Sequence, residues 1–191
     1  MLELVAHQEI CRQFAVLLSY PDDHVAEQTA ACLAGMREIC PEGAAFLESF
    51  QRFVEISDSC RVEEAFTGTF DLQSLCHPYV GYQLCGESQQ RTMFMLKLKE
   101  IYHQFDFTQG HELPDHLSEV LRFIGSTTDQ DCRRVIIQDG LLPALAKITQ
   151  GIESDGHPYM AMLFALQSFL QETVEVNAAQ QHAGRQKECL S

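Results

Sequence analysis

The sequence has little positive charge and no tryptophan. Its 191 residues hold 13 Lys and Arg against 27 Asp and Glu, which gives a formal net charge of −14. A chain so poor in cations has no basic patch to hold a phosphate backbone, and nucleic acid is not expected as a direct partner. The negative charge repels anionic membranes and attracts a partner that carries Lys or Arg. Solubility alone is an equally open explanation of the charge.

The sequence also lacks a C-x-x-C pair and any long apolar run. The cysteines stand at positions 11, 32, 40, 60, 76, 85, 132 and 189, mostly within apolar helical faces. Structural zinc sites usually draw their ligands from close pairs. The N-terminus MLELVAHQEI lacks the basic start of a secretory signal, and no stretch approaches the roughly 20 apolar residues of a membrane span. We therefore expect a cytoplasmic protein with reduced thiols and no direct membrane insertion.

Helical periodicity dominates what is present. Phe46, Leu47, Phe50, Phe53 and Val54 recur at spacings of three and four, and similar stripes follow along the chain. Strand-type alternation is essentially absent. The pattern predicts an all-α, single-domain bundle of about eight to nine helices over residues 1–176, followed by a flexible polar tail over 177–191. One of the helices, 129–138, is predicted to end at Asp139-Gly140.

The helical period lapses near residues 68–86, where GTFDLQSLCHPYVGYQLCG holds three glycines, a proline and several aromatic side chains. We predict a long loop with short helical turns. An apolar loop of this length must pack on the bundle or line a groove. Pro114 and Asp115 then open the helix that carries Leu117 and Leu121, because proline suits a first turn and a carboxylate suits the positive end of the helix dipole. Any function readable from the sequence lies mainly within residues 63–125.

Signatures of enzyme chemistry are weak. Glu100 and His103 form the one Glu-x-x-His tetrad, whereas a di-iron bundle needs two. No phosphate-binding glycine loop and no G-x-S-x-G motif exists. Cys76 and His77 are sequence neighbours, a poor geometry for a catalytic pair, but with Cys85 nearby a thiol- or metal-dependent enzyme stays open as an alternative. Asp115-His116 is either a helix-opening pair or a pair that contacts a peptide.

The stretch 63–125 resembles the NarJ-like branch of the TorD/DmsD/NarJ family, the cytoplasmic maturation chaperones of molybdenum enzymes. The likeness rests above all on ELPDHL at 112–117 and on its spacing from Phe70-Asp71-Leu72. Further support comes from Tyr79, Tyr82, Gly86, Arg91, Leu96, Leu98, Tyr102, Leu121 and Phe123, and outside this stretch from Leu17-Leu18-Ser19-Tyr20-Pro21 and Pro158-Tyr159. Residues 76–79, 86–87 and 90–92 depart from the usual pattern of this branch.

The resemblance implies an all-helical protein without catalytic activity that binds the N-terminal segment of a nitrate-reductase-like catalytic subunit. The client would receive bis-molybdopterin guanine dinucleotide, with no cofactor bound tightly to this chain, which would be a monomer or a dimer. A permanently bound adaptor subunit is a further alternative. Asp71 and Asp115 are candidates for contact with basic side chains. The other candidate peptide-binding residues are Tyr79, Tyr82, Arg91, Leu113, Pro114, His116 and Phe123, of which the aromatic and leucine side chains could equally be core and Arg91 a structural ion pair.

Overall fold

A computed structural model describes the backbone of residues 2–71, 76–150 and 157–188, and the side chains of residues 4–71, 76–150 and 157–174. Within these ranges the chain is helical and has no strand longer than a one-residue bridge. The helices are α1 (Leu2–Leu17), α2 (Val25–Ile39), α3 (Pro41–Ile56), α4 (Ser59–Phe70), α5 (Val80–Cys85), α6 (Gln89–Gln104), α7 (Leu117–Ile124), α8 (Gln130–Val135), α9 (Leu142–Thr149) and α10 (Pro158–Glu188). The predicted all-α, single-domain fold is confirmed.

Side-chain caps determine where several helices begin. Asp58, Ser88, His116 and Asp129 each accept a hydrogen bond from a backbone N–H in the first turn of α4, α6, α7 and α8. Such caps satisfy N–H groups that have no partner inside the helix. Helix α5 ends at Gly86, whose φ of 65° is accessible to glycine at little cost. The chain is thus redirected at the end of the short α5.

The first half of α10 is the centre of the core. It packs on α3, α4 and α9, while α2 covers α3, and α1 packs on α2 and α7. A Cβ atom at Gly43 of α3 would lie 3.2 Å from the carbonyl oxygen of Ala165 in α10. The two helices therefore approach so closely that any larger residue here would force the neighbouring backbone to shift.

An aromatic cluster closes the core beside the loop that follows α4. The ring of Tyr159, which has no exposed surface, lies 4.9 Å from Phe50, 5.5 Å from Phe66 and 5.4 Å from Phe70, measured between ring centroids. Aromatic pairs at such distances contribute about 0.5–1.5 kcal/mol each beyond their buried area. The cluster fixes the end of α4 against the start of α10.

The predicted loop at 68–86 is shorter in the structure. Helix α4 continues to Phe70, and α5 occupies Val80–Cys85. The Thr69 hydroxyl donates to the Ala65 carbonyl oxygen at 2.6 Å and is buried, which holds the last turn of α4 in the core. Residues 72–75, including Leu72 of the FDL motif, lie outside the described residues.

The predicted helix end at Asp139-Gly140 is wrong. A π-helical segment, Ile136–Leu141, joins α8 to α9, so that residues 130–149 form one continuous helix. The described residues then form nine helices in all. A Cβ atom at Gly140 would lie 3.8 Å from the Val80 side chain, so the wide turn packs against the start of α5. Tertiary packing here outweighs the local tendency of Asp-Gly to end a helix.

Helix α10 is the longest and runs past residue 176, where the sequence predicts that the domain ends. The flexibility predicted for 177–191 stays a prediction, and residues 189–191 lie outside the described residues. Neither α10 nor any other helix in the described ranges is at once long enough and apolar enough to cross a membrane.

Candidate functional site

Two segments that are distant in sequence are joined by backbone hydrogen bonds. Val80 donates its N–H to the Asp115 carbonyl oxygen at 2.7 Å, and Leu117 donates to the Pro78 carbonyl oxygen at 2.8 Å. The result is a one-residue antiparallel bridge between Tyr79 and His116, whose rings meet edge to face at 5.3 Å. The CHPY segment (residues 76–79) and the ELPDHL segment (residues 112–117) therefore form one wall of the site.

A buried ion pair holds this wall against α6. Arg91 Nε donates to Asp115 Oδ2 at 2.9 Å; Asp115 has no exposed surface, and Arg91 is 7% exposed. Glu87, one turn before, also accepts from Arg91. Burial acts to lower the pKa of Arg91, but hydrogen bonds and charge from Asp115 and Glu87 outweigh burial and raise it. The guanidinium stays charged, and loss of its carboxylate partner would leave that charge buried, which makes the pair costly to break.

Glycine is needed where α5 crosses this ion pair. A Cβ atom at Gly81 would lie 2.8 Å from Asp115 Oδ2, 2.9 Å from the Phe94 ring and 3.2 Å from Arg91 Cγ. Any larger residue would push α5 away from the ion pair. The glycine that weakened the helical pattern of the sequence therefore permits a close contact.

Tyr102 and Phe123 hold the wall in place from the core of the protein. The Tyr102 hydroxyl donates to the Pro114 carbonyl oxygen at 2.9 Å from a side chain that is 3% exposed. Phe123 has no exposed surface and packs on Tyr102 with ring centroids 5.0 Å apart. Both side chains belong to the core and position the backbone of the ELPDHL segment.

His116 is buried, and hydrogen bonding fixes its tautomer. Nδ1 accepts from the Ser118 N–H at 3.2 Å and lies 2.6 Å from the Ser118 hydroxyl. Burial lowers the pKa of His116 despite the nearby carboxylates. A neutral ring that accepts at Nδ1 carries its proton on Nε2. Among the described residues, Nε2–H has no hydrogen-bond acceptor.

A cleft of about 220 Å³ lies on the outer side of the bridged wall. It is lined by residues of four segments: Leu18, Ser19, Tyr20, Phe66, Phe70, Asp71, Pro78, Tyr79, Glu112, His116 and Ser118. Its floor includes Phe66 and Phe70 of the aromatic cluster, and its rim includes Tyr20, which is 58% exposed. The helix end of α1, the end of α4, the CHPY segment and the ELPDHL segment thus meet at one place.

The cleft is acidic. Asp71 and Glu112 line it and are exposed, whereas none of the described residues that line it is Lys or Arg. The Arg91 guanidinium carbon lies 5.1 Å from the centroid of the Tyr79 ring, which packs over it. The nearby positive charge is therefore buried and neutralised by Asp115. A cationic side chain would be attracted to this cleft and an anion repelled.

The geometry gives little support to thiol or metal chemistry. Cys76 is 5% exposed, and burial raises its pKa to about 12, so its thiol keeps its proton at neutral pH. His77 is exposed and packs on the ring of Tyr82 with centroids 4.5 Å apart. Within the ranges that the structure describes, no three His, Cys, Asp or Glu residues are grouped as a metal site would require.

Comparison with known proteins identifies the family. The sequence profile of the family described as "Nitrate reductase delta subunit" matches residues 36–165, well over half of the chain. The chain belongs to this family. It is 29% identical over 159 residues to a Bacillus subtilis (strain 168) protein assigned as nitrate reductase molybdenum cofactor assembly chaperone NarJ, with 81% of this chain and 84% of the relative covered. The predicted resemblance to the TorD/DmsD/NarJ family is confirmed.

A solved structure shares the fold of this delta-family chain. A protein from Archaeoglobus fulgidus assigned as a redox enzyme maturation protein superposes with a TM-score of 0.59 at 20% identity. The match covers 86% of this chain and 93% of that protein. At this identity the similarity supports the fold. The names of the relatives are those of a chaperone and a maturation protein, not of enzymes.

Three of the nine predicted site residues line the cleft: Asp71, Tyr79 and His116. Leu113, 47% exposed, and Tyr82, half-buried, lie outside its lining. Asp115 and Phe123, which are also predicted site residues, have no exposed surface. Arg91 forms the structural ion pair that the sequence left open. A role of these residues in peptide binding stays a prediction.

Sequence reasoning did not select several residues that line the cleft. Leu18, Ser19 and Tyr20 come from the end of α1, and Glu112 is the first residue of the ELPDHL segment. Both segments carry the family resemblance, so the sequence did contain a signal for these residues. What the sequence could not show is that the end of α1 and the bridged wall line the same cleft.

Proposed function

We propose that this delta-family chain is a cytoplasmic assembly chaperone of a nitrate-reductase-like molybdenum enzyme. It binds the N-terminal segment of the catalytic subunit in the cleft and holds it until bis-molybdopterin guanine dinucleotide has been inserted. The observation that carries the proposal is the cleft itself, where four separate segments of the chain meet. Three of these segments, at 17–21, 70–72 and 112–117, carry the family resemblance.

The chemistry of the cleft favours a peptide with both apolar and basic side chains. Phe66 and Phe70 supply an apolar floor, and the exposed ring of Tyr20 supplies a rim on which a side chain can pack. Asp71 and Glu112 attract a cation. A cleft of about 220 Å³ holds only a few side chains, so it would read a short stretch of the client rather than a folded surface.

The rigidity of the wall also favours recognition. The bridge at Tyr79 and His116, the ion pair of Arg91 with Asp115, and the bond from Tyr102 fix one side of the cleft. A wall held in this way loses little conformational freedom on binding, which leaves more of the interaction energy for affinity. The residues that are buried therefore contribute by positioning the wall.

Isothermal titration calorimetry with a synthetic N-terminal peptide of the cognate catalytic subunit tests the proposal. Binding at micromolar protein is expected, and Tyr20→Ala is expected to weaken it about tenfold, as truncation of a buried aromatic contact typically does. Met93→Ala is the matched control, since Met93 is 60% exposed on α6 and does not line the cleft. No binding of the wild-type protein, or equal binding by all three proteins, would contradict the proposal.

A further inference from the structure

A second cavity is lined by residues of α5, α6, α7 and the π-helical segment. It measures about 280 Å³, and its buried lining side chains are Val80, Leu98, Val120, Ile136 and Leu141. This cavity and the cleft have no described lining residue in common. Apolar side chains in a protein normally pack together without leaving a space of this size. We call this space the apolar cavity.

The glycine at position 140 leaves room in the apolar cavity. Gly140 lines it from within the continuous helix 130–149, where glycine is less stable than alanine. Its φ is not in the positive range that favours glycine. A Cβ atom there would lie 3.8 Å from Val80 Cγ1, which is an ordinary van der Waals distance, so alanine would fit. Neither the backbone nor the packing therefore requires glycine, and its effect is the volume that it leaves free.

The π-helical turn shapes the same cavity. Ile136, Asp139, Gly140 and Leu141 all line the cavity, and all belong to the segment Ile136–Leu141. Such turns are rare, and they occur frequently at functional sites. A rare turn and a glycine that weakens the helix thus coincide at one cavity, which indicates that its shape has a use.

The mouth of the apolar cavity carries a carboxylate without a partner among the described residues. Its exposed lining residues are Lys97, Val135 and Asp139. Lys97 Nζ forms an ion pair with Glu100 Oε2 at 3.2 Å. The Asp139 side chain forms no hydrogen bond or ion pair with a described residue. Because the chain also has a formal net charge of −14, the mouth favours a cation over an anion.

We propose that the apolar cavity binds a small amphiphilic cation, whose apolar body lies inside and whose protonated amine lies at Asp139. An apolar cavity of about 150 Å³ holds benzene, so one of this size has room for roughly ten heavy atoms. A primary amine with a chain of about eight carbons matches that volume. The inference goes beyond the proposed function, because its ligand is a small molecule and its site is separate from the cleft.

Three small ligands test the site by isothermal titration calorimetry on the full chain. n-Octylamine should bind saturably, with one molecule per chain. n-Hexylamine should bind about 15-fold more weakly, since each buried CH₂ group contributes about fourfold to the affinity. n-Octanoate has a chain of the same length and the opposite charge, and it should bind about tenfold more weakly than n-octylamine.

The variant Gly140→Leu tests the location of the site. The added side chain occupies the cavity, and binding of n-octylamine should weaken at least tenfold. Gly68→Leu is the matched control, because Gly68 lies in α4, where a Cβ atom would have no atom within 4 Å, and does not line the cavity. The control should bind n-octylamine within about twofold of wild type.

The variant Asp139→Asn tests the charge at the mouth and keeps the shape of the side chain. Binding of n-octylamine should weaken about twofold to fivefold, as expected for an exposed ion pair. Asp23→Asn removes an equally exposed carboxylate outside the cavity and should leave the affinity unchanged. This pair of variants and n-hexylamine decide the matter if Gly140→Leu does not fold.

The outcomes separate the cavity from the proposed function. Absence of saturable n-octylamine binding, or equal binding by wild type and a folded Gly140→Leu, overturns the site. Equal affinity for n-octanoate and n-octylamine overturns the preference for a cation. If the client peptide displaces n-octylamine, the cavity belongs to the peptide surface and the separate site is overturned while the function stands. If wild type binds n-octylamine but no client peptide, the function fails and the site stands.

Discussion

Asp71 and Asp115 are the same side chain in two very different surroundings. The sequence predicts that both contact basic groups of a partner. In the structure Asp71 is exposed at the rim of the cleft, and Asp115 has no exposed surface and is paired with Arg91 at 2.9 Å. One carboxylate is exposed at the cleft, and the other is paired with a cation inside the protein.

The difference separates two groups of residues in this region, those of the inner wall and those of the rim. Residues of the inner wall are buried, hydrogen-bonded and close-packed, so they determine the shape of the cleft. Residues of the rim are exposed and carry charge or aromatic surface, so they are available for contact. Substitutions in the wall should therefore act first on stability, and substitutions at the rim should act first on binding.

The largest effect is expected from Asp115→Asn. Arg91 is 7% exposed, and after the substitution its guanidinium has Glu87 as its remaining carboxylate partner. Removing one member of a buried ion pair typically costs about 3–5 kcal/mol. The free energy of unfolding from denaturant titration should fall by roughly this amount.

A double variant shows whether the loss of stability comes from the unpaired charge of Arg91. Arg91→Met together with Asp115→Asn removes both charges and should recover part of the loss, since the two residues form one unit. Asp139→Asn, an exposed carboxylate in the π-helical segment, is the control and should change little. A loss below about 1 kcal/mol for Asp115→Asn would contradict the assignment of the pair to the wall.

A smaller loss is expected from Tyr102→Phe. The change removes the hydroxyl that donates to the Pro114 carbonyl oxygen at 2.9 Å and leaves the ring in the core. A buried hydrogen bond of this kind contributes about 1 kcal/mol. Tyr20→Phe is the matched control, because its hydroxyl bonds Glu63 at an exposed site, and we expect no measurable change. Equal losses of thermal stability in Tyr102→Phe and Tyr20→Phe would contradict the distinction between wall and rim.

The helical fold could be predicted because its signals are local. Apolar stripes at spacings of three and four, caps such as Asp58, and Pro41 in a first turn each act within a few residues. The helix end predicted at Asp139-Gly140 failed because a distant element, the start of α5 at Val80, packs against that turn. Local propensity is a weak guide where tertiary contacts compete with it.

The site could be predicted only in part for the same reason. The family motifs led to Asp71, Tyr79 and His116, which do line the cleft. Nothing in the sequence indicates that Asp115 lies beside Arg91, 24 positions away, or that Tyr20 and His116 line the same cleft. Burial and pairing of charges depend on how the helices pack, and a single sequence does not contain that information in a readable form.

His116 gives the wall a dependence on pH. Burial lowers its pKa in the folded protein below the ordinary value of about 6.5. The unfolded chain therefore binds a proton more readily, and stability rises with pH in this range. The contribution is complete above about pH 6.5 and is lost as pH falls from there through the folded-state pKa.

The variant His116→Asn isolates this contribution. Asparagine is a good N-cap residue, so the start of α7 should be kept while the titrating group is removed. Denaturant titrations between pH 7.5 and about 5.5 should show a smaller fall in stability for the variant than for wild type. If the two proteins lose stability in parallel, other groups are responsible and His116 is not held neutral by burial.

The smallest effect on stability is expected from Asp71→Asn, which completes the comparison with Asp115. Asp71 caps α4 through its backbone N–H, which bonds the Thr67 carbonyl oxygen at 2.9 Å and is unaffected by the change. A negative charge at the C-terminal end of a helix is mildly unfavourable, so its removal should leave stability equal or slightly higher, within about 0.5 kcal/mol. Binding of the client peptide should nevertheless weaken about threefold to fivefold, because the cleft loses one of the two exposed carboxylates among its described lining residues. The same two measurements on Asp115→Asn should give the opposite result. Its free energy of unfolding should fall strongly, and its affinity for the peptide should change little at temperatures where the variant is folded. Should Asp71→Asn destabilise the protein while leaving affinity unchanged, the exposed aspartate would belong to the wall, and the division between the two carboxylates would fail.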